Sequence, residues 1–233
     1  RINELVNPAK IPFYETENKN YHWWVQDIAA SLPAELLINS NKISIVDLCA
    51  APGGKTIQLL KAKKKVISID ISNERIIRLK QNLKRLQLED NIITADGKTW
   101  TPKKKVDAVL LDAPCSATGT IRKHPDIMKN RSEISLDNYL STQIDLIKQS
   151  LSWLVKDGIL IYSVCSLQKK EGEEQIKLIL QTVNYLKVLP ISPQEVPAFS
   201  KSITKEGWLR IFPNHLSSFG GNDGFFICRL QKK

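Results

Sequence analysis

From residue 43 onward, short runs rich in β-branched residues alternate with longer stretches of helical periodicity, and this alternation constrains the fold more than any other feature of the chain. A helix between two strands brings the chain back to start the next strand in the same direction, so the pattern is that of βαβ units feeding a mostly parallel sheet. Strands are expected at ISIVDL (43–48), KVISID (65–70), NIITAD (91–96), VDAVLLD (106–112), GILIYSV (158–164), YLKVLP (185–190) and GFFICRL (224–230), seven in all. Between the second and third, Ile76, Leu79, Leu83 and Leu86 recur at helical spacing, with Ser72 placed as the N-cap. Leu140, Ile144, Ile147, Leu151 and Leu154 mark a second long helix at about 137–155, and a third spans about 171–183. The last two strands are separated by a Pro-rich stretch and by GGNDG without a clear helix, so they should return antiparallel. The expected fold is α/β, a seven-stranded, mostly parallel sheet with helices on both faces and an antiparallel last strand.

A chain of 233 residues fits one such domain at 43–233, preceded by an amino-terminal segment at 1–42 that packs on it. That segment places Tyr21, Trp23 and Trp24 ahead of a helix, VQDIAASLPAELL, which Pro33 should kink or restart. The chain opens on Arg1 rather than Met, as a part of a longer protein would. No apolar run approaches the roughly 20 residues needed to span a bilayer, and no signal-peptide core precedes the domain, so a cytoplasmic monomer is the default expectation. Cys49, Cys115, Cys165 and Cys228 form no C-x-x-C pair, which speaks against a zinc site or a disulfide framework, and no metal is expected. The formal charge of +10 suits a polyanion or an anionic membrane surface and does not by itself choose between them. Basic runs at Lys61 to Lys65, Lys103 to Lys105, Arg122 with Lys123, Lys129 with Arg131, and Lys169 with Lys170 are singly no more than solvated faces. Several of them together beside loops that bear chemistry reverse that reading in favour of a binding surface.

Open parallel sheets bind ligands at the carboxyl ends of their strands, and Asp47, Asp70, Asp96 and Asp112 stand at four successive ends. One alone would be read as a cap or turn residue; four suggest a shared crevice, flanked by Asp47 and Asp112. After the first strand, DLCAAPGGKT offers Gly53 and Gly54 for close backbone approach to a ligand before a helix begins. The loop is neither a dinucleotide G-x-G-x-x-G nor a Walker A, which would need glycine where Cys49 stands. Asp70 is placed to accept from ribose hydroxyls and Asp96 from an adenine amino group. A nucleoside cofactor without a pyrophosphate fits, and the sulfonium charge of S-adenosylmethionine would be welcome beside carboxylates.

Two cysteines follow the fourth and fifth strands, Cys115 in LLDAPCSATG and Cys165 in IYSVCSLQKKEGEE. Small buried hydrophobes are the commoner fate of such residues, and Cys49 and Cys228 are read that way. At these motifs the sequence resembles the Sun-type (Nop/Sun) family of RNA cytosine-C5 methyltransferases, in particular its bacterial members that act on 16S ribosomal RNA. The resemblance runs through VQD, DLCAAPGGKT, ID with Arg75 five residues beyond Asp70, AD at 95–96, DAPCSATGTIRKHPDI, YSVCS and DGFF. It implies a Rossmann-like, S-adenosylmethionine-dependent methyltransferase fold, with S-adenosylhomocysteine as product and ribosomal RNA as partner, transfer RNA being the alternative within the family. It also implies Cys165 as the nucleophile, Cys115 in product release, and Cys49, Ala50, Ala51, Pro52, Gly53, Gly54, Lys55, Asp70, Arg75, Asp96 and Asp112 around the cofactor. Asp112 would in addition hold the target base.

The chemistry needs such a pair. Cytosine C5 is a poor nucleophile until a thiolate adds to C6, and after methyl transfer the C5 proton must leave so that the thiol can be eliminated. Arg122, Lys123 and His124 are placed to hold phosphates beside a base taken out of its stack, although His124 could equally cap the following turn. Two residues depart from the family pattern: Val164 stands where threonine is usual and Ala117 where glycine is usual. Three alternatives stay open: attack by Cys115, as in DNA cytosine-C5 methyltransferases; an exocyclic amino methyltransferase, which would want an aromatic where Cys115 stands; and a non-catalytic RNA-binding factor.

Overall fold

The computed structural model describes residues 23–129 and 133–233; Tyr21, Arg131 and the first 22 residues of the amino-terminal segment lie outside them. The strands are β1 (Ser44–Leu48), β2 (Lys65–Asp70), β3 (Asn91–Thr94), β4 (Val106–Asp112), β5 (Leu154–Val164), β6 (Leu186–Val188), β7 (Leu209–Ile211) and β8 (Phe225–Lys232). They form one sheet in the order β3-β2-β1-β4-β5-β8-β6, with β7 also paired to β8. The first five are mutually parallel, and β8 runs antiparallel to β5, β6 and β7. The expected mostly parallel sheet with an antiparallel end is therefore present, with eight strands instead of seven. The additional one, β7, has three residues and is too short for an alternating pattern to register in sequence.

Alternation along each strand divides the core in two. Ile45, Ala108, Leu110, Ile159, Ile161 and Ile227 face one side, against Ala29, Leu36 and Leu37 of α1 (Ile28–Ile38) and Leu59 of α2 (Gly54–Lys61). Val46, Leu48, Val109, Leu111, Leu160 and Tyr162 face the other, against Leu146, Ile147 and Leu151 of α4 (Glu133–Trp153) and Ile176 and Ile179 of α5 (Glu173–Thr182). The predicted helix on Ile76, Leu79 and Leu83 is α3 (Asn73–Arg85), and Ser72 caps it by accepting from the Arg75 amide. Pro33 lies within α1, which runs through it without restarting, and Asp27 caps that helix by accepting from the Ala29 amide at 2.9 Å. Cys228 lies wholly buried in β8. Among the described residues no helix is long and apolar enough to cross a membrane.

Asp47 falls on the α1–α2 side of β1 and is wholly buried, which takes it out of the crevice that the sequence pattern assigned to it. Thr56 Oγ1 donates to its Oδ2 at 2.6 Å, and Oδ1 has no partner. Burial pushes its pKa up to about 7, against the opposing pull of the Thr56 hydrogen bond and the Lys55 charge. An unfolded aspartate ionises near about 3.9, so as pH rises from about 4 to 7 unfolding releases a proton that the folded state retains, and stability falls through that window. Asp47→Asn should flatten this fall. Thermal unfolding at about pH 5 and pH 7 checks it: the wild-type midpoint should drop more than the variant's, and parallel curves would contradict the assignment.

Candidate active site

Strand order reverses at β1, with β2 and β3 on one side and β4 and β5 on the other, and at such a switch point a crevice opens beyond the carboxyl ends. The loop from Cys49 to Gly53 lines it. Cys49 and Gly53 both have left-handed backbone, φ 62° and 104°, and a Cβ at Gly53 would stand 2.3 Å from Leu79 Cδ1, so only glycine lets the loop lie this close to α3. Burial first, then the Asp70 and Asp112 charges, push the Cys49 thiol well above its usual range. Ala50, Ala51, Pro52 and Gly54 complete the turn into α2, with Ala50 N donating to Ile69 O at 3.0 Å and Gly53 N to Ala50 O at 2.9 Å.

Asp70 closes β2 and ties this loop to α3. Its Oδ2 accepts from Ala51 N at 3.2 Å and lies 3.4 Å from Arg75 Nη1, its Oδ1 accepts from Ser72 N at 3.0 Å, and it is 2 % exposed. Arg75 Nη2 also donates to Ala51 O, so the arginine braces the loop from below. Asp96, beyond β3, is half-buried; its Oδ1 accepts from Lys98 N at 2.9 Å, and its Oδ2 lies 3.9 Å from Lys98 Nζ. Asp112, the last residue of β4, accepts from Lys55 Nζ at 2.6 Å and from Ser163 Oγ at 2.8 Å, and its side chain is 33 % exposed. The set of two accessible carboxylates, one buried carboxylate and a backbone-lined turn fits a cationic nucleoside such as S-adenosylmethionine.

The two loops beyond β4 and β5 bring Cys115 and Cys165 together, with their sulfurs 3.6 Å apart. Cys115 is 8 % exposed and Cys165 half-buried. The hydrogen bond to Cys165, then burial, then the Cys165 and Glu171 charges hold the Cys115 thiol well above its usual range. Gly119 N donates to Cys165 O at 2.9 Å and Gly224 N to Gly119 O at 2.8 Å; a Cβ at Gly119 would stand 2.2 Å from Gly224 O. Val164, wholly buried in the core, and Ala117, at φ 53°, frame the pair.

Arg122, Lys123 and His124 are exposed on the same rim, but they are not equivalent. Lys123 Nζ lies 2.9 Å from Asp27 Oδ2 and 2.7 Å from Asp223 Oδ2, and Arg122 Nη2 lies 3.7 and 3.8 Å from the same two side chains. This cluster fastens the start of α1 to the loop before β8, so the cation expected to meet phosphate at Lys123 is already engaged. His124 makes no capping bond to the turn that follows it. Sequence reasoning also missed Ser163, Glu171 and the serines that follow each cysteine, since nothing in the linear order pairs residues about 50 apart; the repeated Cys-Ser step was the one signal present.

A family model described as 16S rRNA methyltransferase RsmB/F matches residues 34–231. The chain is 37% identical over 234 residues to ribosomal RNA small subunit methyltransferase B of Photorhabdus laumondii, covering 98% of this chain and 51% of that protein. It is 42% identical over 214 residues to the protein of the same name from Yersinia pseudotuberculosis, covering 90% and 47%. It thus spans about half the length of the curated relatives it matches. The structure of NSun6 from Pyrococcus horikoshii with SFG is similar at a TM-score of 0.72 and 25% identity, over 90% of this chain and 53% of that one. A methyltransferase homolog from the same organism has a TM-score of 0.70 at 26% identity, over 95% and 73%.

Ala117 occupies the left-handed region, at φ 53° and ψ 23°, where a side chain costs roughly 1 kcal/mol and glycine almost nothing. Ala117→Gly should therefore raise stability by about 0.5–1 kcal/mol in denaturant unfolding. A loss of stability would show that Ala117 makes compensating contacts.

Proposed function

The chain belongs to the RsmB/F family of 16S ribosomal RNA methyltransferases, and on that premise we propose that it methylates C5 of a cytosine in RNA, with Cys165 as the covalent nucleophile. The RNA we assign is 16S ribosomal RNA, the substrate class in the family description. The observation that carries this reading is the pair of sulfurs 3.6 Å apart just beyond the carboxyl ends of β4 and β5. S-adenosylmethionine, when bound, supplies an electrophilic methyl group. Cys49 through Gly54, Asp70, Arg75 and Asp96 would hold its nucleoside, and Asp112 with Lys55 would border its reactive end.

The half-buried Cys165 gives its thiol proton to solvent and adds to C6 as the thiolate, which turns C5 into an enamine-like carbon able to take the methyl. Asp112 would share a proton with N3 of the base and draw electron density from the ring, favouring addition. Lys55 and Ser163 keep that carboxylate oriented. Once the Cys165 sulfur is bonded to C6, two of the causes that hold the Cys115 proton, the hydrogen bond and the Cys165 charge, are removed while burial and Glu171 remain, and that proton passes to solvent before Cys115 serves as the base. The Cys115 thiolate then takes the C5 proton, the C5–H electron pair forms the C5=C6 double bond, the C6–S bond breaks to release Cys165 as a thiolate, and N3 gives its shared proton back to Asp112. The exposed Arg122 and His124 would steady phosphates around the flipped base, with Lys123 holding the rim together.

Covalent protein–RNA adducts in single variants test the division of labour. Cys115→Ala should accumulate an adduct that resists denaturing electrophoresis, and Cys165→Ala should form none; the reverse pattern would assign attack to Cys115. Asp112→Asn should lower single-turnover methyl transfer by about 10²-fold or more, and near-normal turnover would remove Asp112 from the reaction.

A further inference from the structure

Each of the two cysteines is followed by a serine, and both serines end on the same buried carboxyl group. Glu171 is 0% exposed. Its Oε1 accepts from Ser116 N at 2.8 Å and from Gln143 Nε2 at 3.1 Å, and its Oε2 accepts from the hydroxyls of Ser116 and Ser166. The two hydroxyls lie 3.0 Å from each other. Gln143 Nε2 reaches Pro114 O as well, at 2.9 Å, so Cys115 is held on both sides by one network.

Glu171 is itself fixed. Tyr162 OH donates to its carbonyl at 2.7 Å, and its own amide donates to Gln168 O at 3.2 Å. The next residue, Gly172, admits no side chain, because a Cβ there would stand 2.4 Å from Arg210 Nη2 and 2.8 Å from Phe226 Cγ. Arg210 in turn donates to Ser166 O at 2.6 Å. Burying an ionisable carboxyl among neutral donors carries a desolvation cost that a well-packed apolar residue would not. Such a cost persists where the group has work to do.

We propose that Glu171 is a positioning residue that locks the Cys115 and Cys165 loops in register, setting the approach of one sulfur to the other. Its catalytic consequence rests on the methyltransferase assignment above; its geometric consequence does not. Glutamine can keep the clamp, since its carbonyl oxygen accepts from Ser116 N and Gln143 while its amide donates to hydroxyls that rotate to accept. Alanine cannot.

The test therefore has one arm without RNA. Diamide oxidises a near thiol pair: two thiols give two electrons and two protons to its N=N bond, leaving one S–S bond and a hydrazine. Peptide mass spectrometry follows the Cys115–Cys165 linkage in the intact protein, beside thermal unfolding. Glu171→Ala should form it about tenfold more slowly or worse, and Glu171→Gln at close to the wild-type rate. Should Glu171→Ala fail to fold, the double variant Ser116→Ala with Ser166→Ala, which keeps the carboxyl and removes two of its donors, should show the slowing instead. In the second arm, with RNA, the folded alanine or double-serine variant should hold a covalent adduct longer than wild type, and glutamine should restore its release. Wild-type oxidation rates in the folded alanine or double-serine variant overturn the proposal, as does a glutamine variant as slow as alanine. Slowed oxidation with no RNA adduct in any protein, wild type included, would uphold the clamp and count against the methyltransferase assignment alone.

Discussion

The parallel pairing of β4 with β5 is the constraint on which the rest of the site depends. Asp112 lies opposite Ser163 in that register, and the pairing continues past the sheet through Ala113 N to Ser163 O at 2.9 Å. Two residues beyond Ser163 is Cys165 and three beyond Asp112 is Cys115, so the ladder delivers both sulfurs to one place. A slip of one residue would send Asp112 and Ser163 to opposite faces and part the thiols. The apolar alternation on both faces of the sheet is what forbids that slip: Leu110 and Ile161 are committed to one core, Leu111 and Tyr162 to the other.

Charge is managed differently at each level of the crevice. The surface is strongly basic, yet the groups nearest the proposed chemistry are carboxyls. Asp70 is buried under backbone and Arg75, Glu171 is held by neutral donors, and Asp112 is matched by Lys55. Buried carboxyls with several hydrogen bonds serve as anchors, because each bond made there is strong and each lost one is costly. Asp96 and Asp112, by contrast, keep part of their carboxylates exposed.

Much of this was legible in the linear sequence, and what was not has a physical reason. Strand ends were legible because runs rich in β-branched residues stop at Asp70 and Asp112, and the glycines of the first loop because close approach of backbone needs them. β7 was missed because three residues hold no period. Asp47 was placed in the crevice because its strand position was right; its burial follows from which face the register gives it, a fact set by Ile45 and Leu48 together. Lys123 was assigned to phosphate because its carboxylate partners, Asp27 and Asp223, lie about 100 residues away in opposite directions. Glu171 lay in plain view at the acidic start of a helix, where it resembled an ordinary dipole-compensating residue.

The division of labour between Cys115 and Cys165 turns on which sulfur bonds to the base. An RNA containing 5-fluorocytidine cannot lose its C5 substituent as a proton, so the covalent complex persists and its peptide can be sequenced by mass spectrometry. A single C6 linkage at Cys165, formed only with the methyl donor present or faster with it, is the expected result. A linkage at Cys115, or methyl transfer to ordinary RNA with no trapped complex on the fluorinated one, would contradict it.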